Sequence, residues 1–200
     1  MKKSSLEIYQ FLKSKNLLEN SPPLWWPNAG SFEVVVSAIL TQNTTWKNVE
    51  KSLQNLEGYL ELESFLTLDE ESLKEKIRPS GFYNQKAPRL LALAENIERE
   101  FKSFEKFQQS VERAWLLEQK GIGQESADAI LCYGALQAEM VVDTYTKRLL
   151  KSFEIEFKSY GEYKSFLESG FHEMYNEKEL HRVFAHYHGM IVEYNKQKTL

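Results

Sequence analysis

Apolar residues recur at helical spacing along most of the chain, separated by short polar loops that contain glycine or proline. This spacing predicts helices over 6–18, 46–56, 69–77, 87–101, 111–117, 124–136, 143–153, 160–175 and 177–195. Phe32–Leu40 is nearly all apolar and could form a buried strand, but its continuation into a polar helix favours a buried helix. Met140–Val142 is predicted to be extended, and we find no strand pair with hairpin chemistry. We therefore predict an all-α fold.

Composition narrows the class of protein. Two hundred residues with 42% apolar content can form one large domain, or two small ones that share a cleft. No apolar stretch has transmembrane length and no basic-then-apolar leader begins the chain, so we expect a cytoplasmic protein. The single cysteine, Cys132, lies in an apolar run, which excludes an internal disulfide and any site that needs several thiolates.

The segment around Gly121-Ile122-Gly123 ends one helix, turns, and begins another. Glycines allow close approach of another backbone, and the exposed N–H groups of the new helix can face an anion. The same pattern also fits an ordinary corner between two helices. The net charge of −4 argues against nucleic-acid binding, but backbone N–H groups can grip phosphates without changing that charge.

Asp143 follows the apolar Val141-Val142 and precedes a predicted helix. The commonest reason for an aspartate at such a place is an N-cap. A functional carboxylate is the second interpretation, and the two roles are compatible.

Three tryptophans, Trp25, Trp26 and Trp46, are candidates for a binding surface. One tryptophan usually means core packing. Two adjacent indoles in a proline-bounded loop are hard to bury together, so we expect at least one to line a cleft, where it could stack on an unstacked base.

Four segments in order resemble the helix–hairpin–helix superfamily of base-excision DNA glycosylases, which includes endonuclease III. They are Leu40–Thr44, the Gly-hydrophobic-Tyr-x-x-Lys-Ala turn within Ser80–Ala87, the hairpin Gly121–Gly123, and Val142–Thr144. With the Trp25–Asn28 loop, the chain is most similar to the endonuclease III-type 3-methyladenine DNA glycosylases.

The resemblance implies two helical lobes with a cleft between them. A six-helix lobe at 31–136 would contain the helix–hairpin–helix motif, and 1–30 with 137–200 would form a second lobe from both termini. No cysteines are present for the iron–sulfur cluster that many relatives carry, so packing alone must hold the C-terminal helices. The resemblance implies a monomer that binds double-stranded DNA containing alkylated bases. Such a protein would work on the DNA of the nucleoid and would not bind a membrane.

The resemblance also implies the site residues. Asp143 would be the catalytic carboxylate, and the base pocket would comprise Trp25, Trp26, Trp46 and Lys196. A DNA phosphate would be held at Gly121, Gly123, Gln124 and Glu125. The backbone carbonyls of Leu117, Gln119 and Ile122 would hold a structural Na⁺ or K⁺, and no other cofactor is required.

Two departures from the family pattern refine this picture. Bifunctional relatives place a nucleophilic lysine two residues after the second hairpin glycine, where this chain has Glu125, and Lys120 is in the wrong register. We therefore expect a monofunctional enzyme without AP lyase activity. Lys196 fits a solvated lysine at a helix C-terminus as well as a pocket lysine. His186 and His188 are interpreted as structural or surface residues, because no third metal ligand accompanies them.

Three alternatives stay open on the sequence. The first is a glycosylase for a mismatched or oxidised base. The second is a non-catalytic helix–hairpin–helix DNA-binding protein. The third is a helical protein with no nucleic-acid role, which the acidic composition favours.

Overall fold

The computed structural model describes residues 3–197, and within that range every regular element is helical. The α-helices in chain order are α1 (Ser5–Lys13), α2 (Phe32–Leu40), α3 (Trp46–Asn55), α4 (Leu62–Phe65), α5 (Glu70–Ile77), α6 (Tyr83–Phe101), α7 (Phe104–Ser110), α8 (Arg113–Glu118), α9 (Gln124–Ala129), α10 (Thr144–Ser152), α11 (Tyr160–Glu168) and α12 (Glu177–Gln197). A 3₁₀ turn spans Arg78–Ser80 and a π-helix spans Ile130–Gly134. The all-α prediction is confirmed, including the helical form of Phe32–Leu40. No helix in this part of the chain is long and apolar enough to cross a membrane.

The chain divides into two compact units. We call Gly30–Ile130 the central unit, and Met1–Ala29 with Leu131–Leu200, described over 3–29 and 131–197, the terminal unit. The sequence placed residues 131–136 in the central lobe, but their partners lie in the terminal unit: the Tyr133 hydroxyl, for example, lies 2.9 Å from the carbonyl of Ala185. The central unit holds eight α-helices rather than six, because the short α4 and α7 lack enough turns to show a periodic pattern.

Several predicted boundaries were wrong by part of a helix. The first helix ends at Lys13 rather than residue 18, and α11 ends before Gly170, whose φ of +83° leaves the helical region. The predicted helix 111–117 begins at Arg113, because Val111 has extended backbone. Helix α6 begins at Tyr83, four residues before the predicted start, and carries Pro88 inside it. The predicted helix 124–136 is α-helical only to Ala129 and continues as the π-helix. The N-cap predicted at Asp69 is confirmed, since its side chain accepts from the amide of Ser72.

The helices of the terminal unit pack around a shared apolar core. Helix α12 packs against α1 and α10. The core of the terminal unit includes Ile8, Leu12, Phe184 and Ile191, all 0% exposed. Cys132 is buried and unbonded, as predicted.

Lys86, from the Gly-Phe-Tyr-x-x-Lys-Ala turn, is a structural cation inside the central unit. Its side chain is fully enclosed, and its Nζ donates to the carbonyls of Leu40 at 2.8 Å and Ser80 at 2.9 Å. It thereby ties the C-terminus of α2 to the 3₁₀ turn. Burial lowers the pKa of Lys86 from 10.5 to about 8.

We expect Lys86→Met to lower the free energy of unfolding by about 1–3 kcal/mol at neutral pH, because it leaves buried acceptors without a donor. The depressed pKa means that the unfolded chain binds the extra proton between pH 8 and 10.5, so the wild type gains stability relative to the variant as pH rises through that window. Urea unfolding at several pH values measures both effects. Lys76→Met is the matched control, since Lys76 also donates to a carbonyl, that of Asn55, but at the surface. Equal losses in the two variants would contradict the structural role of Lys86.

Candidate active site

Asp143 stands at the start of α10, immediately after the buried run Met140–Val142. Its Oδ1 accepts from the Thr146 amide at 2.7 Å, and the Thr146 hydroxyl accepts from the Asp143 amide at 3.3 Å, which completes a capping box. The side chain is 13% exposed. Asp143 is therefore an N-cap, and its carboxylate also reaches the surface of the unit.

The second carboxylate oxygen of Asp143 faces His188 on α12. The Oδ2 of Asp143 lies 3.4 Å from the Nε2 of His188, an ion-pair separation rather than a hydrogen bond. Burial alone would raise the pKa of Asp143. The neighbouring His188 imidazole and the Thr146 amide outweigh that effect, so the pKa lies below its ordinary value and the carboxylate stays ionised.

Trp25 is a half-buried indole held against α12. Its backbone is left-handed with φ +70°, and its Nε1 donates to Glu193 Oε1 at 3.0 Å. A Cβ added at Gly189 would lie 2.5 Å from Trp25 Cγ, so only glycine lets the ring rest on the helix backbone. The ring also meets the His188 imidazole edge-on, with 5.2 Å between centroids.

Lys196 is exposed but lies beside this indole. Its Nζ is 5.8 Å from the Trp25 ring centroid and 2.9 Å from Glu193 Oε1. Glu193 therefore binds both the indole N–H and the ammonium. Lys196 is thus a solvated lysine near the end of α12 whose ammonium lies close to the Trp25 ring.

The adjacent Trp26 takes a different position. It is buried, 6% exposed, and its ring lies 5.1 Å from that of Tyr133. Of the neighbouring pair, Trp26 packs inside the terminal unit and Trp25 is the ring that reaches solvent. Trp46 belongs to the central unit, where it begins α3, is half-buried, and donates through Nε1 to Glu50 at 3.0 Å.

The hairpin residues lie in the central unit. Gly121 has φ +86°, and the Arg89 side chain occupies the space a Cβ would need, so glycine is required there on both counts. Gly123, Gln124 and Glu125, at the start of α9, are exposed. Gln42, from the Leu40–Thr44 segment, braces the hairpin by donating to the Gly121 carbonyl at 3.1 Å and to Ser126 Oγ at 2.9 Å.

The three carbonyls predicted to hold a cation can be compared with this turn. The Ile122 amide donates to the Gln119 carbonyl at 3.1 Å. A carbonyl oxygen has two lone pairs, so Gln119 can accept a second contact. Leu117 is in the last turn of α8, where helix carbonyls lack intrahelical partners. The cation site at these carbonyls stays a prediction.

Two residues of interest escaped the sequence interpretation. Phe82 is 59% exposed and has φ +49°, which is unusual for a bulky side chain. His188 was interpreted as structural or surface; it is buried, and the sequence did not predict its contact with Asp143. Helical spacing could have found it, because His188 lies four residues after Phe184 and three before Ile191, on the buried face of α12. Its neighbour His186 donates to the Pro23 carbonyl, and no cluster of metal-ligating side chains occurs within 3–197.

Comparison with known proteins identifies the family that this architecture belongs to. The profile of the HhH-GPD superfamily of base excision DNA repair proteins matches residues 36–171, which is more than half of the chain. This chain belongs to the HhH-GPD superfamily. The predicted helix–hairpin–helix resemblance is confirmed.

Individual HhH-GPD proteins are similar over nearly the whole chain. The Helicobacter pylori 3-methyladenine DNA glycosylase, solved bound to 1,N6-ethenoadenine, is 47% identical with a TM-score of 0.92, covering 98% of this chain and 99% of that one. A Methanocaldococcus jannaschii protein, named provisionally as a DNA repair glycosylase, is 41% identical over 86% of this chain and 80% of its own. An endonuclease III–DNA complex shares the fold at 19% identity, with a TM-score of 0.71 over 94% of this chain and 85% of that one.

The contact between Gly189 and Trp25 gives a stability prediction. Gly→Ala inside a helix normally stabilises it by roughly 1 kcal/mol. We expect Gly189→Ala instead to destabilise the protein by about 1–3 kcal/mol, because the methyl group overlaps the indole. Chemical denaturation with Gly161→Ala as control tests this, since a Cβ at Gly161 meets nothing within 4 Å. The same sign of change in both variants would refute the contact.

Proposed function

We propose that this HhH-GPD protein is a monofunctional DNA glycosylase. It acts as a monomer on duplex DNA and hydrolyses the N-glycosidic bond of alkylated purines, with 3-methyladenine as its main substrate. The observation that carries the proposal is an ionised, partly exposed carboxylate, Asp143, within the unit that presents the Trp25 indole. Both groups contact the same imidazole, that of His188. The likeness to the Helicobacter enzyme supports the substrate class.

The aromatic side chains suit a positively charged base. An N-alkylated purine carries a positive charge, and the face of an indole attracts cations by about 0.5–2 kcal/mol. Trp25 would offer its ring for stacking, and Trp26 would support Trp25 from inside the unit. Lys196 would not repel the cationic base strongly, because Glu193 lies 2.9 Å from its ammonium and offsets its charge.

The chemistry needs little from the protein beyond one negative charge. As the bond between C1′ and the purine nitrogen breaks, its electron pair moves to the cationic purine, which leaves as a neutral molecule. Positive charge develops on the deoxyribose, and the Asp143 carboxylate stabilises it. A water oxygen then bonds to C1′, and its proton passes to the carboxylate or to solvent. No strong general acid is required, so normal purines, which are poorer leaving groups, stay bonded.

DNA would be held mainly by the central unit. Backbone N–H groups at the half-buried Gly121 and at the exposed Gly123, Gln124 and Glu125 would contact a phosphate, so the net charge of −4 does not oppose binding there. A Na⁺ or K⁺ on the carbonyls of Leu117, Gln119 and Ile122 would add positive charge close to that phosphate. The exposed Phe82 ring would fill the space left in the base stack when the damaged nucleotide leaves it.

Two residues, Glu125 and Lys196, argue against strand cleavage by this protein. Glu125 stands where bifunctional relatives carry their lysine nucleophile, and a carboxylate cannot form a Schiff base. Lys196, the lysine beside Trp25, is engaged by Glu193. We therefore propose that the product is an intact abasic strand.

The decisive experiment compares wild type with Asp143→Asn on methylated duplex DNA, with free base and strand breaks assayed separately. Asparagine also caps helices, so the free energy of unfolding should change by less than about 1 kcal/mol. Base release should fall by at least about 100-fold, because the charge is lost. Asp69→Asn is the matched control: the same substitution at an exposed N-cap, which should leave base release unchanged.

The outcomes separate the alternatives. Release of a mismatched or oxidised base but no alkylated purine would assign a different lesion. Tight DNA binding with no base release from any substrate would indicate a non-catalytic DNA-binding protein. Borohydride trapping of a covalent complex by the wild type would refute the monofunctional assignment.

Phe82 gives a separate binding prediction. Phe82→Ala should weaken binding to DNA with an abasic site by about 1–3 kcal/mol, judged from the alanine cost of base–aromatic stacking, and should leave the unfolding free energy nearly unchanged because the ring is exposed. Met174→Ala is the control. Met174 is a similarly exposed apolar residue, at 56%, and it lies in the terminal unit, which does not contain the hairpin. Fluorescence anisotropy with labelled duplexes measures both. Equal affinities for wild type and Phe82→Ala would remove Phe82 from the DNA contact.

A further inference from the structure

His188 is the buried polar group that the sequence left without a function. Its side chain is 4% exposed, and its Nε2 lacks a hydrogen-bond partner of good geometry in the structure. That atom lies 3.4 Å from Oδ2 of Asp143. An unsatisfied buried nitrogen directed at a carboxylate calls for an explanation, because such groups are rare in folded proteins.

The other ring nitrogen of His188 contacts Tyr133. The Tyr133 hydroxyl lies 2.8 Å from His188 Nδ1 and 2.9 Å from the Ala185 carbonyl. The hydroxyl has one proton, so only two arrangements are possible. Either Tyr133 donates to Nδ1, or it donates to Ala185 and accepts a proton from Nδ1.

Both arrangements lead to the same conclusion about Nε2. If Tyr133 donates to Nδ1, the imidazole carries its proton on Nε2, facing Asp143. If Nδ1 carries a proton, a bare Nε2 would set its lone pair against an anionic oxygen, so a favourable contact again needs a proton on Nε2. In every arrangement that suits an ionised Asp143, His188 presents an N–H to the carboxylate.

We infer that His188 is a positioning residue for the glycosylase reaction, with a proton on its Nε2, and that Tyr133 holds the imidazole in place through Nδ1. This inference rests on the proposed function. With Oδ1 held by the Thr146 amide and Oδ2 facing His188, the carboxylate plane is fixed from both sides, while the side chain keeps 13% of its surface exposed. The 3.4 Å separation shortens when charge builds up on the sugar opposite Asp143, as catalytic hydrogen bonds tighten in the reacting complex.

Ionisable groups lie on the elements around the pair. The π-helix contributes Tyr133 and its neighbour Cys132, and the Trp25 loop contributes an uncharged ring. On α12 itself, Glu193 and Lys196 bind one another. The lowered pKa of Asp143 is consistent with this geometry.

The test uses two amides that mimic different ring nitrogens. Glutamine at position 188 extends its N–H to about where Nε2 lies, whereas asparagine reaches only the place of Nδ1. We expect His188→Asn to slow single-turnover base release by about 10-fold, as loss of a group that orients an active-site residue does. The acid limb of its pH–rate profile should move to higher pH, with substrate affinity unchanged. His188→Gln should restore much of the rate, and Tyr133→Phe, which keeps the ring, should fall between.

His181→Asn is the matched control. His181 is a second buried histidine on α12, and its Nε2 contacts the Cys132 carbonyl rather than Asp143. It should lose stability without moving the acid limb. Titration of the Asp143 carboxyl by ¹³C NMR in the free protein supplies a readout without activity, and its pKa should rise in His188→Asn but not in His181→Asn.

The results distinguish two failures. If wild type releases no base, the proposed function fails, and the NMR titration still decides whether His188 controls Asp143. If wild type is active but His188→Asn keeps its rate, acid limb and Asp143 titration, the positioning role is wrong. If His188→Asn does not fold, Tyr133→Phe decides: an unchanged rate and acid limb there would overturn the inference.

Discussion

The Asp143 carboxylate has to stay ionised at the edge of a largely apolar unit, and two helices of the terminal unit contribute to its stabilisation. Asp143 obtains its stabilisation from the first turn of α10, whose amide it caps, and from the imidazole that α12 brings against it. Because the carboxylate that caps α10 is also the one we propose to act in catalysis, the start of α10 cannot move without moving that group. The core that locks α12 onto α1 and α10 therefore also sets the geometry of the site.

Helix α12 serves two neighbours with two different faces. Gly189, Glu193 and Lys196 follow i, i+4, i+7 spacing and form one stripe along the Trp25 indole. His188, one residue before Gly189, is rotated by about 100° and faces Asp143. The features that stabilise a helix least are concentrated here: a glycine in its middle, a buried histidine, and a tryptophan at positive φ packed against it. Such local disadvantages persist where the surrounding packing enforces them, and they cluster at functional sites.

The sequence predicted what depends on local pattern and missed what depends on tertiary contact. Helical periodicity and the capping position found nearly all of the longer helices and the cap at Asp143. It missed α4 and α7, which are too short to repeat, and the π-helix, whose extra residue per turn has no signature in the spacing of apolar residues. The family motifs identified Asp143 and the hairpin. They did not identify His188, because a histidine on a buried helical face has the same pattern whether it fills a core or faces a carboxylate.

A site this simple fits the proposed substrate for a chemical reason. An enzyme that protonates its leaving group strongly would threaten every normal purine in the genome, whereas a lone carboxylate accelerates only bonds whose base already leaves easily. Discrimination then rests on the positive charge of the lesion, which indole faces and nearby carboxylates sense and which a normal base lacks. The contact of Glu193 with Lys196 would serve the same selectivity. An unpaired ammonium over Trp25 would disfavour the charged base that the ring favours. On this proposal, selectivity depends on the lack of a strong general acid as much as on the carboxylate and the indole that act on the charged base.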